Sequence, residues 1–517
     1  MAHPIHQMGV SSHNTEKHHS VLSDRCAAFL ECGEYQNARR DAIDALKLDP
    51  NNIKYRCHLS KALLGLRSYT AALQELQYVK DSADDNVKSL LRRLPIYVNE
   101  NVHGEYDFVK IRQEAEQSPR IFHADYCSAL LELWESNFGG RGGRGFFAKE
   151  DIPIGTLLVA SKAIACVFTD EVTKIETSGP NSHYQQDFKT TDVERSLADS
   201  IYEMMQKGCG RAVLNLEGGI NPQNLDLDLS RDDVYEETAA TSATPDNVLE
   251  IILHNSFNAE KTVAGSRRII GGQALFHVPS YFNHSCMPNT YRYQFGDMMF
   301  IRSATMIQAG KELFTYYTTM QNGESLKDRS ESLRNRHVPF ECHCQLCSFE
   351  KSNPNLANSA VELVQEMYRA SSIQNLKAAR LQLYKMFEYT IETETVEKIR
   401  TFSSQDPRDF AFARLLQLIL LRLGYFLYWE DNEIEAMHYF AESFGISKEN
   451  HLLSYTTTTF EMPHPALIVW KCLHHPAARM PRIVTSKWLG EAESMSSLVL
   501  GGGRFNTIFE SFINAKS

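Results

Sequence analysis

The hydrophobic positions of this chain fall into three zones. From Val21 they recur at helical spacing, and Gly33, Tyr35, Ala38, Ala45, Leu46 and Pro50 mark one helix-turn-helix unit. Tyr69 and Ala72 stand 34 residues after Tyr35 and Ala38, so the unit repeats. Small alanines let paired helices approach closely, and Pro50 stops the second helix. This zone is predicted to run helical from 21 to 136, after a polar, disordered tail over 1–20. From about 138 to 320 the pattern changes to short alternating runs with Pro153 and Gly155, which predicts strands. Tyr291, Tyr293 and Phe295 alternate on one such strand, with Phe300 nearby, and read as sheet core before channel lining. From Asn355 onward helical spacing returns, in A-V-E-L-V-Q-E-M-Y, L-K-A-A-R-L-Q-L-Y and L-L-Q-L-I-L-L-R-L. Glu433 to Phe444 faintly echoes a repeat helix. The fold class is therefore α+β and multidomain: helices (21–136), a β-rich centre (138–320), a tail (321–350) and C-terminal helices (355–517).

The 34-residue period resembles the tetratricopeptide repeat. Two units are fewer than a free-standing solenoid needs, so they should pack on their neighbours. Such an array either binds peptides on a concave face or braces the rest of the chain.

Composition narrows the classes. At 517 residues the chain exceeds one core. Its 43% hydrophobic and 23% charged residues are ordinary for a folded protein. A net charge of −11 argues against sequence-independent nucleic-acid binding, which needs clustered cations, and suits a basic peptide partner. The N-terminus lacks an apolar signal region. Leu415 to Trp429 is interrupted by Gln417, Arg422 and Gly424, so it reads as a buried helix and no membrane span is expected. Eleven scattered cysteines without an export signal predict reduced thiols and a nuclear or cytoplasmic location. His3, His6, His13, His18 and His19 belong to the polar tail, and Cys472, His474 and His475 have no visible partner cluster.

Residues 140–145 read G-R-G-G-R-G, which satisfies a dinucleotide-binding spacing. That motif needs a strand before it, a helix after it and an acid about twenty residues on. Here L-L-E-L-W-E-S, helical or at best ambiguous, precedes, strand-like F-F-A-K-E-D-I-P-I-G follows, and Ala165 stands at the acid position, so this reading is rejected. What remains is a glycine turn into a strand, useful where backbone must approach a ligand closely. Between Ala165 and Val248 only Leu197 to Met205 looks helical. Asn221 to Glu250 holds eight acids and one arginine, either a solvated loop or an acidic lip for a basic peptide.

The densest chemistry runs from Ser280 to Cys347: S-Y-F-N-H-S-C-M-P-N, then K-E-L-F-T-Y-Y, then F-E-C-H-C-Q-L-C. Cys342, Cys344 and Cys347 can place three thiolates on one turn, with Cys286 the nearby fourth. Four thiolates at a Zn–S distance of ~2.3 Å make a closed structural site. His343 is the alternative ligand, but it points away when both flanking cysteines bind.

N-H-S-C-x-P-N, E-L-x-x-x-Y and C-x-C-x2-C, in this order, resemble SET-domain protein lysine methyltransferases. The resemblance covers about residues 138–350 and points to the SMYD-type branch. This chain lacks that branch's MYND finger and carries N-terminal repeats, as fungal SET-and-repeat proteins do. The resemblance implies an S-adenosylmethionine-dependent enzyme acting on lysine in a histone or another protein. It places Gly143, Arg144 and Gly145 against the cofactor, Asn283 and His284 at its adenosyl part, and Asn255 and Ser280 at further contacts. Phe340 would pack on the adenine, and Tyr317 would close the lysine channel. Tyr316 competes with Tyr317 for that role, since alternation lets one of them face the site. Two other readings stay open: an adaptor with a silent SET fold, and methyl transfer to a small-molecule amine.

Overall fold

The protein is described by a computed structural model. It describes residues 12–82, 84–137, 143–172, 191–206, 211–219, 243–262, 269–317, 324–335, 340–389, 406–430 and parts of 432–443. The acidic stretch 220–242, the first glycines of the turn (140–142), His3, His6, Cys472, His474 and His475 lie outside them.

Six helices come first: α1 (Ser12–Glu31), α2 (Tyr35–Leu48), α3 (Ile53–Gly65), α4 (Tyr69–Gln77), α5 (Asp85–His103) and α6 (Phe108–Gln117). Helix α1 begins at Ser12, which shortens the tail expected over 1–20. Its polar start is carried by an anchored remainder in which Leu22 and Cys26 are buried. Side-chain oxygens of Asn52, Asp84 and Asp107 cap α3, α5 and α6. The 34-residue period is visible in bonding as well as in sequence. Helices α2 and α4 both start on the recurring tyrosine, and Ala38 and Ala72 are fully buried. Cys26 Sγ donates to the Ala38 carbonyl at 3.1 Å, and Ser60 Oγ, 34 positions on, donates to the Ala72 carbonyl at 2.9 Å.

Strands begin earlier than the sequence suggests. β1 (Tyr126–Cys127) and β2 (Leu131–Glu135) occupy the end of the zone expected to be helical up to 136. L-L-E-L-W-E suits either period, and the strand form wins because β2 pairs antiparallel with β3 (Arg144–Ala148) along its whole length. Among the described residues a strand, β3, follows Gly143 where a dinucleotide motif requires a helix.

The remaining strands are β4 (Leu157–Lys162), β5 (Ala165–Phe168), β6 (Ser256–Thr262), β7 (Ile269–Leu275), β8 (Asn283–His284), β9 (Thr290–Phe295), β10 (Met298–Ser303) and β11 (Phe314–Thr315). They form antiparallel sheets in the orders β1-β4-β10-β9 and β5-β7-β6, and a parallel pair, β8 with β11. Between β5 and β6 lie α7 (Asp192–Gln206), a 3-10 turn (Arg211–Asn215) and α8 (Pro245–Asn255), so Asp246 and Glu250 of the acidic stretch are helical. One core packs Phe168, Leu197, Ile201, Leu249, Ile252, Phe276 and Ile301 between these helices and the sheets. A second fills the gap between α6 and the first sheet with Phe108, Ile111, Met298 and Phe300, and Tyr293 stacks on Phe300 at 5.4 Å. The aromatic strand positions are sheet core.

The tail and C-terminus are α9 (Leu326–Arg334), α10 (Gln345–Ser352), α11 (Pro354–Arg369), α12 (Ile373–Met386) and α13 (Pro407–Trp429). Residues 407–428 of α13 are long and apolar enough to cross a bilayer by length and composition, and the stretch Leu415 to Trp429, read as a buried helix, forms the later part of it. The fold nevertheless buries 89% of its most apolar window inside the protein, and α13 is the core helix of this end.

Candidate functional site

Three nodes form the site, each tied to the next. In the first, the Arg144 side chain from β3 is buried over the Tyr281 ring at 4.9 Å and donates to the Asn215 carbonyl. Burial pulls its pKa down, and Tyr281 and Glu217 work against that pull. Two residues on, the Glu217 carbonyl accepts from Asn255 Nδ2 at 2.8 Å. Arg144 and Asn255 are therefore anchored to one short segment, 211–219, that no sequence motif marked. Tyr281 meets His277 Nε2 at 3.2 Å, and burial drives the His277 pKa down to about 3, so this imidazole is neutral. Ser280 lies on the same 3-10 turn (Val278–Tyr281), where its hydroxyl donates to the Phe276 carbonyl at 2.5 Å.

The second node is a carboxylate. Asn283 Nδ2 donates to Glu312 Oε1 at 2.7 Å and to the Arg144 carbonyl at 3.0 Å. Ser136 Oγ donates to the other Glu312 oxygen at 3.0 Å. Burial raises the Glu312 pKa, and the Asn283 and Ser136 bonds restrain the rise. A Cβ on Gly145 would stand 2.2 Å from Glu312 Oε1 and 2.8 Å from Asn283 Nδ2. Glycine is needed at 145 because the Glu312 and Asn283 side chains fill the space a Cβ would take. Gly143 is different: its Cβ would meet nothing within 4 Å. Glu312 enters the sequence reading only as a spacer for Tyr317; its bonding role had no signal there.

The third node surrounds His284. The Tyr317 backbone N–H donates to His284 Nδ1 at 3.1 Å, so the neutral ring carries its proton on Nε2, which faces Cys286 Sγ at 3.4 Å. Rings of Tyr316, Tyr317 and Phe340 surround it at 5.1, 5.4 and 5.6 Å. Strand alternation does not separate the two tyrosines, because β11 ends at Thr315. Tyr316 is buried with the C-terminal helices, while Tyr317 is half-buried and meets Phe340 at 6.0 Å.

Cys286, Cys342, Cys344 and Cys347 are all buried, and their sulfurs lie within 4.8 Å of one another. Cys286 Sγ is 3.8 Å from Cys342 Sγ and 3.5 Å from Cys347 Sγ. A tetrahedral zinc with Zn–S bonds of ~2.3 Å spaces its sulfurs ~3.8 Å apart, so the donor set fits that ion. His343 between them is exposed. Arg144, Gly145, Asn283, His284, Tyr317, Phe340 and the four cysteines are thus linked by contacts, with Asn255 and Ser280 bonded to main-chain carbonyls beside them.

Residues 143–318 match the family model described as SET domain. A protein of Gibberella zeae named "Methyltransferase" is 27% identical over 66% of this chain and 48% of its own. Human "N-lysine methyltransferase SMYD2" is 24% identical over 37% of this chain and 44% of its own. The chain spans about half the length of these relatives. A solved structure titled as the SET domain of LSMT bound to lysine and AdoHcy is 12% identical, with a TM-score of 0.18, covering 64% of this chain and 92% of that one.

Proposed function

We propose that this SET-domain protein transfers a methyl group from S-adenosylmethionine to a lysine side chain of a protein substrate, histone or otherwise. The observation that carries the reading is the line Asn255–Arg144–Asn283–His284–Tyr317–Phe340, which brings separate sequence motifs together through hydrogen bonds to the 211–219 segment, the Asn283 and Tyr317 bonds and the Tyr317–Phe340 ring contact. The half-buried Phe340 and Tyr317 rings suit a flat heterocycle and an aliphatic amine stem, and the cationic Arg144 suits an amino-acid carboxylate. When bound, the cofactor supplies an electrophilic methyl on a sulfonium. The chain has three tasks around it: to hold the donor, to admit a lysine, and to keep its amine neutral. A free lysine has a pKa near ~10.4, so neutralising it at pH 7 costs roughly 4–5 kcal/mol. An aromatic channel beside a positive charge lowers that cost by desolvation and like-charge repulsion. The Tyr317 hydroxyl orients the amine, and the His284 ring holds the Tyr317 backbone in register.

In the same reading the four cysteines hold a structural zinc that fixes Phe340 and the tail against His284. The N-terminal helices act as a tetratricopeptide-like brace rather than a peptide receptor. Arg67, from the α3–α4 loop, bonds Asp125 at 2.8 Å and the Ala163 carbonyl at 3.3 Å, which ties the array to the sheet. A nuclear or cytoplasmic location follows from the reduced thiols such a site requires.

Labelled S-adenosylmethionine incubated with histones and cell extract tests this reading beside Tyr317→Phe and Tyr316→Phe. Wild type should label protein, Tyr317→Phe should lose transfer by about 10²-fold or more while still binding donor, and Tyr316→Phe should retain more activity. Equal labelling by wild type and Tyr317→Phe would sink the assignment.

A further inference from the structure

The two asparagines of N-H-S-C-M-P-N, Asn283 and Asn289, are alike in type and opposite in bonding. Asn289 commits both ends of its amide to the main chain around Glu312. Its Nδ2 donates to the Glu312 carbonyl at 2.8 Å, and its Oδ1 accepts from the Phe314 N–H at 2.7 Å. This clamp fixes the backbone from which the Glu312 side chain projects, and Ser136 Oγ holds one carboxylate oxygen at 3.0 Å. Asn283 commits only its nitrogen. Its Nδ2 donates to the other Glu312 oxygen at 2.7 Å and to the Arg144 carbonyl at 3.0 Å. An amide nitrogen has two hydrogens, so both are taken. A carboxylate and a carbonyl accept but do not donate, so a flipped amide would set oxygen against oxygen at both places. One orientation is left, with Oδ1 turned away from both. That oxygen has no hydrogen-bond partner among the described residues and is open to solvent.

We propose that Glu312 is a positioning residue that sets the polarity of Asn283, so that this amide offers S-adenosylmethionine a fixed acceptor and takes an N–H group of the donor. The proposal rests on the methyltransferase reading above. Glu312 acts through Asn283, and Ser136 and Asn289 act one step further back, on the carboxylate and on its backbone. The donor has N–H groups at two ends, the amino-acid ammonium and the adenine amino group, and either has the required chemistry.

S-adenosylmethionine is titrated calorimetrically into full-length wild type, Glu312→Ala, Glu312→Gln, Asn283→Ala and the Glu312→Ala/Asn283→Ala double variant. Glu312→Ala should weaken binding about three- to tenfold, the scale of one hydrogen bond. The double variant should bind no more weakly than Asn283→Ala, because Glu312 works only through that amide. Glu312→Gln should bind like wild type, since its amide oxygen still accepts from Asn283 and its nitrogen can donate to Ser136. In turnover, Glu312→Ala should raise KM for the donor more than it lowers kcat. If Glu312→Ala fails to fold, Ser136→Ala carries the test, with a smaller loss of binding that is again non-additive with Asn283→Ala. Methylthioadenosine, which keeps the adenine and lacks the amino-acid end, separates the two sources: its binding weakens in Glu312→Ala if the adenine amino group is the partner and is unchanged if the ammonium is. Additive losses in the double variant, a Glu312→Gln as weak as Glu312→Ala, or a lowered Tm with wild-type donor binding would overturn the proposal and leave Glu312 an ordinary structural carboxylate. Wild type that binds no donor would overturn the methyltransferase reading itself, an outcome distinct from donor-binding wild type whose variants add.

Discussion

At the scale of single residues, the site is organised by Glu312. Its two oxygens collect Ser136 from the end of β2 and Asn283 from β8, and they press against Gly145 of β3. Gly145→Ala should therefore force these groups apart, costing about 1–3 kcal/mol as an overpacked contact. Calorimetric titration with S-adenosylmethionine should show weaker binding alongside a lower Tm. Gly143→Ala, with open space at its Cβ, should leave Tm unchanged and report on ligand approach alone. The sequence made the motif residues legible because each chemistry requires a particular residue type. Spacing could not show that the Arg144 guanidinium packs on Tyr281, or that His284 joins the Tyr317 backbone to Cys286. Those contacts depend on how separate segments meet, and the two-residue β11 defeats any alternation argument for Tyr316 against Tyr317.

At the scale of elements, the junction of the helices with the sheet contains a buried imidazole. His123 Nδ1 meets Glu100 of α5 at 2.7 Å and its Nε2 meets Glu114 of α6 at 2.8 Å. Burial disfavours the charged ring, but the two carboxylates outweigh it, and the His123 pKa is raised. A raised folded pKa stabilises the fold below the unfolded value of about 6.5 and loses that contribution as pH climbs through the folded one. Thermal unfolding should thus show a decline in Tm with rising pH above ~6.5 that His123→Gln abolishes. His123→Leu, which strands the buried Glu100 carboxylate, should cost about 3–5 kcal/mol in denaturant unfolding. Helices were the most legible elements, since A-V-E-L-V-Q-E-M-Y and its kin fall inside α11, α12 and α13. β2 was misread because its tertiary partner β3 settles an ambiguous local pattern. The 211–219 segment was missed because it acts through main-chain carbonyls, which any residue supplies.

At the scale of the molecule, the cysteine cluster and the C-terminal helices share one core. Cys286, Cys342, Cys344 and Cys347 pack with Leu333, Leu346, Leu415 and Leu416. Stripping the zinc proposed for this cluster should lower Tm by on the order of 5–10 °C, the shift a loss of a few kcal/mol gives in a domain of this size. All four thiols should then become open to alkylation, which mass spectrometry reads directly. The N-terminal helices are tied on by Asn101, which donates to the Asp125 carbonyl at 2.7 Å, and by Arg67, which bonds the Asp125 carboxylate at 2.8 Å. The sequence foresaw the succession of helical, strand and helical zones, because periodicity is a local property. It could not foresee that the N-terminal helices meet the strands through polar contacts and the C-terminal helices through the core around the cysteines, because those partners lie far apart in the chain.

The most direct measurement is amino-acid analysis of protein labelled by wild type from methyl-labelled S-adenosylmethionine. The label should be recovered as N-methyl-lysine and be absent when Tyr317→Phe replaces wild type. Label recovered in methyl-arginine, methyl-histidine or a small-molecule amine, with none in lysine, would contradict the account.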